Sequence, residues 1–122
     1  MVNSRQRILI VEDDAAFAYA AARHLQHEGY ETIVAASSMA ALNELDAHKI
    51  DIVVTDVRLL DGEPHGLSLA RMVASRRPRI PVIIVTAYPE ILADEPALPG
   101  PVLHKPLEIA ELSQQVSACL AR

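Results

Sequence analysis

The sequence predicts an α/β fold: a doubly wound, five-stranded parallel sheet with helices on both faces. Two observations predict it. Five short apolar runs alternate with segments of helical periodicity, the pattern of strands joined by crossover helices. Three of the runs, at residues 8–11, 52–54 and 82–85, are unbroken stretches of β-branched residues and Leu, as central strands buried on both faces require. The runs at 32–35 and 102–103 are weaker and read as strands nearer the edges.

The helices follow in turn. Phe17, Ala20, Ala21 and Leu25 recur at helical spacing, Asp14 is placed to cap their N-terminus, and Gly29 stops the helix in a left-handed cap. Ser37 or Ser38 caps a second helix that turns Ala41, Leu42 and Leu45 inward. Leu69, Met72 and Val73 mark a third; Arg76 and Arg77 suit the negative end of its dipole, and Pro78 ends it. The last helix carries Ile109, Leu112, Val116 and Cys119 or Leu120 on one face, with Glu108 and Glu111 in its opening turns. One connection breaks the rhythm. Between Thr86 and Pro101 a fourth helix is due, yet Pro89, Pro96, Pro99 and Gly100 leave only residues 90–95 for it. A short or irregular segment is expected there, with residues 87–100 the most mobile internal stretch.

The chain has 122 residues, 51% hydrophobic and 22% charged, enough for one core and one domain over residues 1–122. Eleven Lys and Arg against 16 Asp and Glu give a net charge of −5, and no basic stripe is available to neutralise phosphates, so nucleic acid is not expected as a partner. Cys119 is the single cysteine and cannot form an internal disulfide, while residues 1–7 lack a signal-peptide apolar stretch. No apolar run approaches the ~20 residues of a membrane span. A reducing cytoplasm is the expected compartment. The histidines, His24, His27, His48, His65 and His104, show no paired metal spacing, and Cys119 reads as a buried, inert thiol.

In an open parallel sheet the functional crevice lies outside the carboxyl ends of the strands. Here those ends are strongly polar: Glu12-Asp13-Asp14 after the first run, Thr55-Asp56 after the third, Thr86 after the fourth, His104-Lys105-Pro106 after the fifth. If the first and third strands are neighbours, Asp13 and Asp56 share one small volume with Glu12 beside them. Two like charges ~4 Å apart repel by roughly 4 kcal/mol at an effective dielectric near 20, so a cation belongs among them. The candidate ligands are all oxygens, which favours Mg²⁺ over zinc, and Lys105 supplies further positive charge.

The segments RILIVEDD (7–14), DIVVTDVRLLDG (51–62), PVIIVTAY (81–88) and LHKPL (103–107), in this order, resemble the receiver domain of two-component response regulators over the whole chain. The resemblance implies the flavodoxin-like strand order 2-1-3-4-5, and that Asp56 is the phosphoacceptor, fed by a sensor histidine kinase or a histidine phosphotransfer protein. It implies that Asp13, Asp56 and the backbone carbonyl of Arg58 hold Mg²⁺, with Glu12 acting through a bound water. Thr86 and Lys105 would contact the phosphoryl group, and the Lys105-Pro106 bond would be cis. The signal would leave by contact with a downstream protein or by phosphorelay.

The chain also departs from the family pattern. Val102 stands where an aromatic is usual, Leu60 replaces a proline, and the glycine that opens the third helix is displaced to Gly66 by a small insertion, Gly62 to His65. With Thr86-Ala87-Tyr88 these features resemble alphaproteobacterial single-domain receivers with a lost or mobile fourth helix. Arg58 and Tyr88 fall where family members flank the path of the hydrolytic water. Two rivals are weighed. A phosphorylation-independent interaction module would not need the full Glu12, Asp13, Asp56, Thr86 and Lys105 set. A phosphohydrolase of the haloacid dehalogenase type would need a second acid where Arg58 stands.

Overall fold

The computed structural model describes residues 5–58 and 66–121. Five parallel strands, β1 (Arg7–Val11), β2 (Glu31–Ala35), β3 (Ile52–Asp56), β4 (Val82–Thr86) and β5 (Val102–His104), form one sheet in the order β2-β1-β3-β4-β5. Four helices accompany it: α1 (Ala15–His27), α2 (Ser38–Ala47), α3 (Gly66–Arg76) and α4 (Ile109–Leu120). The helix due between β4 and β5 is a four-residue 3-10 turn, Pro89–Leu92, as the prolines around it require.

Alternation along the central strands builds two separate cores. Leu9 and Val11 of β1 and Val53 of β3 face α2 and α3, packing with Leu45, Leu69 and Val73. Ile8, Ile10, Ile52 and Val54 face α1 and α4, packing with Leu25, Leu112 and Val116. A strand buried on both sides has no polar position to offer, which is why these runs show no alternation. Cys119 lies in the second core as a buried free thiol. From the 3-10 turn, Leu92 is the side chain that joins a core, on the α2/α3 face.

Local devices set the start of α2 and the end of α1. Ser37, not Ser38, caps α2, its hydroxyl accepting from the Ala40 amide at 3.1 Å. At the end of α1, Gly29 takes φ +101°, and the amides of Gly29 and Tyr30 reach back to the carbonyls of Gln26 and Leu25 at 3.0 and 3.1 Å. This crossed pair of bonds needs a residue in the left-handed region, where glycine carries no Cβ penalty. A hydrogen bond of 2.7 Å from Ser113 Oγ to Glu28 Oε1 ties α4 to the end of α1.

Candidate functional site

The polar strand ends meet at the carboxyl edge of β1, β3, β4 and β5. β1 and β3 are direct neighbours, Val11 pairing with Thr55, so the residues that follow them share a volume. Glu12 continues the ladder, its amide donating to the Ala35 carbonyl at 3.0 Å, and the residue is 4% exposed. Its carboxylate accepts from the Asp14 amide at 3.2 Å and from Lys105 Nζ at 2.5 Å. Asp14 in turn caps α1, Oδ1 accepting from the amides of Ala16 and Phe17 at 3.1 and 3.2 Å. Asp13 lies exposed between them and makes no hydrogen bond or ion pair with the described residues.

Asp56 closes β3, with both carboxylate oxygens engaged. Oδ1 accepts from the Arg58 amide at 3.0 Å and Oδ2 from Lys105 Nζ at 2.8 Å. Lys105 reaches the pair from the end of β5, whose main chain is fixed by a 2.8 Å bond from its own amide to the Thr86 carbonyl. The Lys105-Pro106 bond is cis, as expected. Thr86 is fully buried, and its hydroxyl accepts from the Tyr88 amide at 2.9 Å. The acid that converges with Asp56 on the lysine is thus Glu12, whereas Asp13 stays at the surface. Among the described residues, no three of His, Cys, Asp and Glu gather as a ready-made metal cluster.

Two kinds of contact were not legible in the sequence. Lys105 Nζ sits 4.6 Å from the centroid of the Phe17 ring, and the Arg58 guanidinium 5.1 Å from that of Tyr88, so each cation beside Asp56 rests on an aromatic face. The second concerns Gly66, at the start of α3. Its amide donates to the Val57 carbonyl at 2.8 Å, and a Cβ built on it would lie 1.6 Å from the Asp56 carbonyl oxygen. The helix therefore presses against the strand end through bare backbone. Leu60 and the insertion from Gly62 to His65 lie outside the described residues.

The electrostatics follow from burial. Desolvation pushes the Glu12 carboxyl up to about 7; the Lys105 hydrogen bond opposes this and the Asp56 charge adds to it. For Lys105, burial pulls the ammonium down, but the bonds to Asp56 and Glu12 outweigh it and leave its pKa raised. Two acids, Glu12 and Asp56, thus share one lysine, and the more buried of them already holds its proton more tightly than a free carboxyl does. The site is short of positive charge. Its oxygen-only donors suit a hard divalent cation, and Mg²⁺ takes one or two carboxylates while keeping waters.

A flavodoxin-like sheet with a charged crevice at its carboxyl edge defines a broad class, and comparison with known proteins narrows it. Residues 8–117 match the response regulator receiver domain. The heme response regulator HssR of Staphylococcus saprophyticus is 34% identical over 117 residues, covering 93% of this chain and 51% of that protein. A response regulator receiver protein from Sinorhizobium medicae superposes with a TM-score of 0.87 at 26% identity, over 97% of this chain and 96% of that one. Response regulator TrrA of Thermotoga maritima, solved in complex with Mg(2+)-BeF, superposes with a TM-score of 0.85 at 26% identity, over 94% and 99% of the two chains. The chain belongs to the receiver domain family of two-component response regulators. It spans about half the length of HssR. No helix among the described residues is long and apolar enough to cross a membrane.

Proposed function

We propose that this receiver takes up a phosphoryl group on Asp56 from the phosphohistidine of a sensor histidine kinase or a histidine phosphotransfer protein. The observation that carries the reading is the engagement of Asp56 at the sheet's carboxyl edge, with Lys105 Nζ on one oxygen and the Arg58 amide on the other. A carboxylate held in this way is oriented for in-line attack on phosphorus, and catalysis is then mostly positioning and charge compensation. As the new oxygen–phosphorus bond forms, the phosphorus–nitrogen bond of the donor breaks, and the imidazole departs with its electron pair and takes a proton from solvent. The product is an acyl phosphate.

Asp13, Asp56 and the backbone carbonyl of Arg58 would hold Mg²⁺, with Glu12 acting through a bound water. When bound, the ion supplies neutralisation of charge on the phosphoryl oxygens. Lys105 compensates charge on the same oxygens. The Thr86 hydroxyl, now accepting from the Tyr88 amide, would turn to the phosphoryl group, carrying the change toward the 3-10 turn. The domain acts as a phosphoacceptor that assists its own chemistry, in the cytoplasm, and passes the signal by contact with a downstream protein or by phosphorelay. The Mg(2+)-BeF complex of TrrA supports this reading by likeness.

Acetyl phosphate with Mg²⁺ tests it. Intact-mass measurement is expected to show one added phosphate on the native chain and none on Asp56→Asn, with the Mg²⁺ requirement shifted to higher concentration in Asp13→Asn. Equal labelling of Asp56→Asn would refute the assignment, and absence of labelling in the native chain would favour the phosphorylation-independent module.

A further inference from the structure

The chain carries one phenylalanine, three tyrosines and no tryptophan, and the phenylalanine lies against the lysine of the site. We propose that Phe17 is a positioning residue for Lys105, a π-face that keeps the ammonium at the crevice mouth when the carboxylates are drawn to other partners. The proposal rests on Asp56 being the phosphoacceptor.

Four contacts close into a circuit. Lys105 Nζ donates to Glu12 at 2.5 Å, the Glu12 carboxylate accepts from the Asp14 amide at 3.2 Å, and Asp14 Oδ1 accepts from the Phe17 amide at 3.2 Å. The Phe17 ring then returns to Lys105 Nζ at 4.6 Å, inside the ~6 Å range of a cation–π contact. The main chain that carries the ring is therefore anchored by the same capping residue, Asp14, whose amide donates to the Glu12 carboxylate. Its neighbours in sequence, Ala15, Ala16 and Ala18, have no bulk to serve in its place.

The chemistry gives the contact a purpose. In this structure two carboxylates, Glu12 and Asp56, hold the ammonium. Once those oxygens are shared with a divalent cation and a phosphoryl group, their hold on Lys105 weakens. A flexible four-carbon side chain would then sample solvent. A ring face is indifferent to what the carboxylates bind, so it keeps the charge over the site through the change. Packing asks only for apolar bulk at position 17, where the side chain lies partly buried against the α1/α4 core; an aliphatic residue would satisfy that demand. The cation asks for a ring.

The chain's two lysines, Lys49 and Lys105, make the test direct. In the full chain labelled with ¹³C-lysine, the ε-methylene protons of Lys105 should resonate upfield of those of exposed Lys49, since protons over a ring face are shielded. Phe17→Leu should abolish that offset and Phe17→Tyr should preserve it. Labelling by acetyl phosphate and Mg²⁺ should slow by about three- to thirtyfold in Phe17→Leu and stay near the native rate in Phe17→Tyr. An offset that survives in Phe17→Leu would overturn the proposal. So would native labelling rates in a Phe17→Leu protein that has lost the offset. Should Phe17→Leu fold poorly, Phe17→Met is held to the same two outcomes. Failure of the native chain to label at Asp56 would overturn the phosphoacceptor reading and with it the functional part of this one, while the offset would still report the ring contact.

Discussion

Replacing Glu12 by Gln removes one negative charge from the most buried acid of the site without changing its shape, and the consequence for stability is set by pH. Burial pushes the Glu12 carboxyl of the folded chain up to about 7 from its ordinary value of 4.5. Between those values the folded state binds the extra proton, so the stabilisation is complete below pH 4.5 and is lost as pH rises through 7. A displacement of this size corresponds to about 3 kcal/mol across the window, at 1.36 kcal/mol per unit. Lys105, also raised, titrates above the window and leaves the slope unaffected. The native and Glu12→Gln chains should therefore have similar unfolding free energies at pH 4.5, and the variant should be the more stable by about 3 kcal/mol at pH 8. For a chain of this size that is a melting difference of about 10 °C. Urea denaturation in EDTA at half-unit steps from pH 4.5 to 8 measures the divergence. Parallel curves would mean that Glu12 does not hold a proton in the folded state. With Mg²⁺ added at pH 8 the order should reverse, because the native carboxylate gains a cation that the amide binds poorly.

Three further outcomes follow from the geometry. Gly66→Ala drives a Cβ into the Asp56 carbonyl oxygen, 1.6 Å away, and should cost about 3 kcal/mol in urea denaturation, the upper range for overpacking because backbone lies on both sides; a loss below about 0.5 kcal/mol would mean that α3 slides freely. Tyr88→Ala removes the ring beneath the Arg58 guanidinium and should shorten the lifetime of the acyl phosphate, read as phosphate loss over time; equal rates would mean that Tyr88 does not guard it. Hydrogen exchange in the unphosphorylated chain should show residues 93–99 less protected than α1, since no helix or strand orders them; equal protection would refute this.

The architecture was legible because its signals are local. Apolar runs without alternation mark strands covered on both faces, and each observed strand lies within two residues of its run. Prolines on either side of residues 90–95 could leave no more than the turn now seen at Pro89–Leu92. The polar strand ends likewise gathered Glu12, Asp56, Thr86 and Lys105 at one edge. What was not legible depends on which way a side chain turns at a strand end. Glu12 and Asp13 are adjacent acids, and their order in the chain does not say which one the lysine meets; the extra ladder bond from Glu12 to Ala35 carries Glu12 inward. Phe17 in an alanine-rich helix reads as core, because nothing in its spacing reveals a cation arriving from residue 105. Gly66 reads as a displaced helix start, and its contact with the Asp56 carbonyl needs the third dimension.

The 3-10 turn has one further consequence, for protein engineering. Leu92 alone of Pro89–Leu92 is buried, and Pro96, Ala97 and Leu98 are exposed, so the stretch beyond Glu95 is a natural graft point. A fluorescent reporter spliced between Ala97 and Leu98 would displace no core side chain, and loop lengthening carries only a slowly growing entropy cost. The insert would stand on the connection that leads from Thr86 to Lys105. Its emission would then follow the chemistry at Asp56 from inside the chain, turning the missing helix into a built-in socket for a sensor.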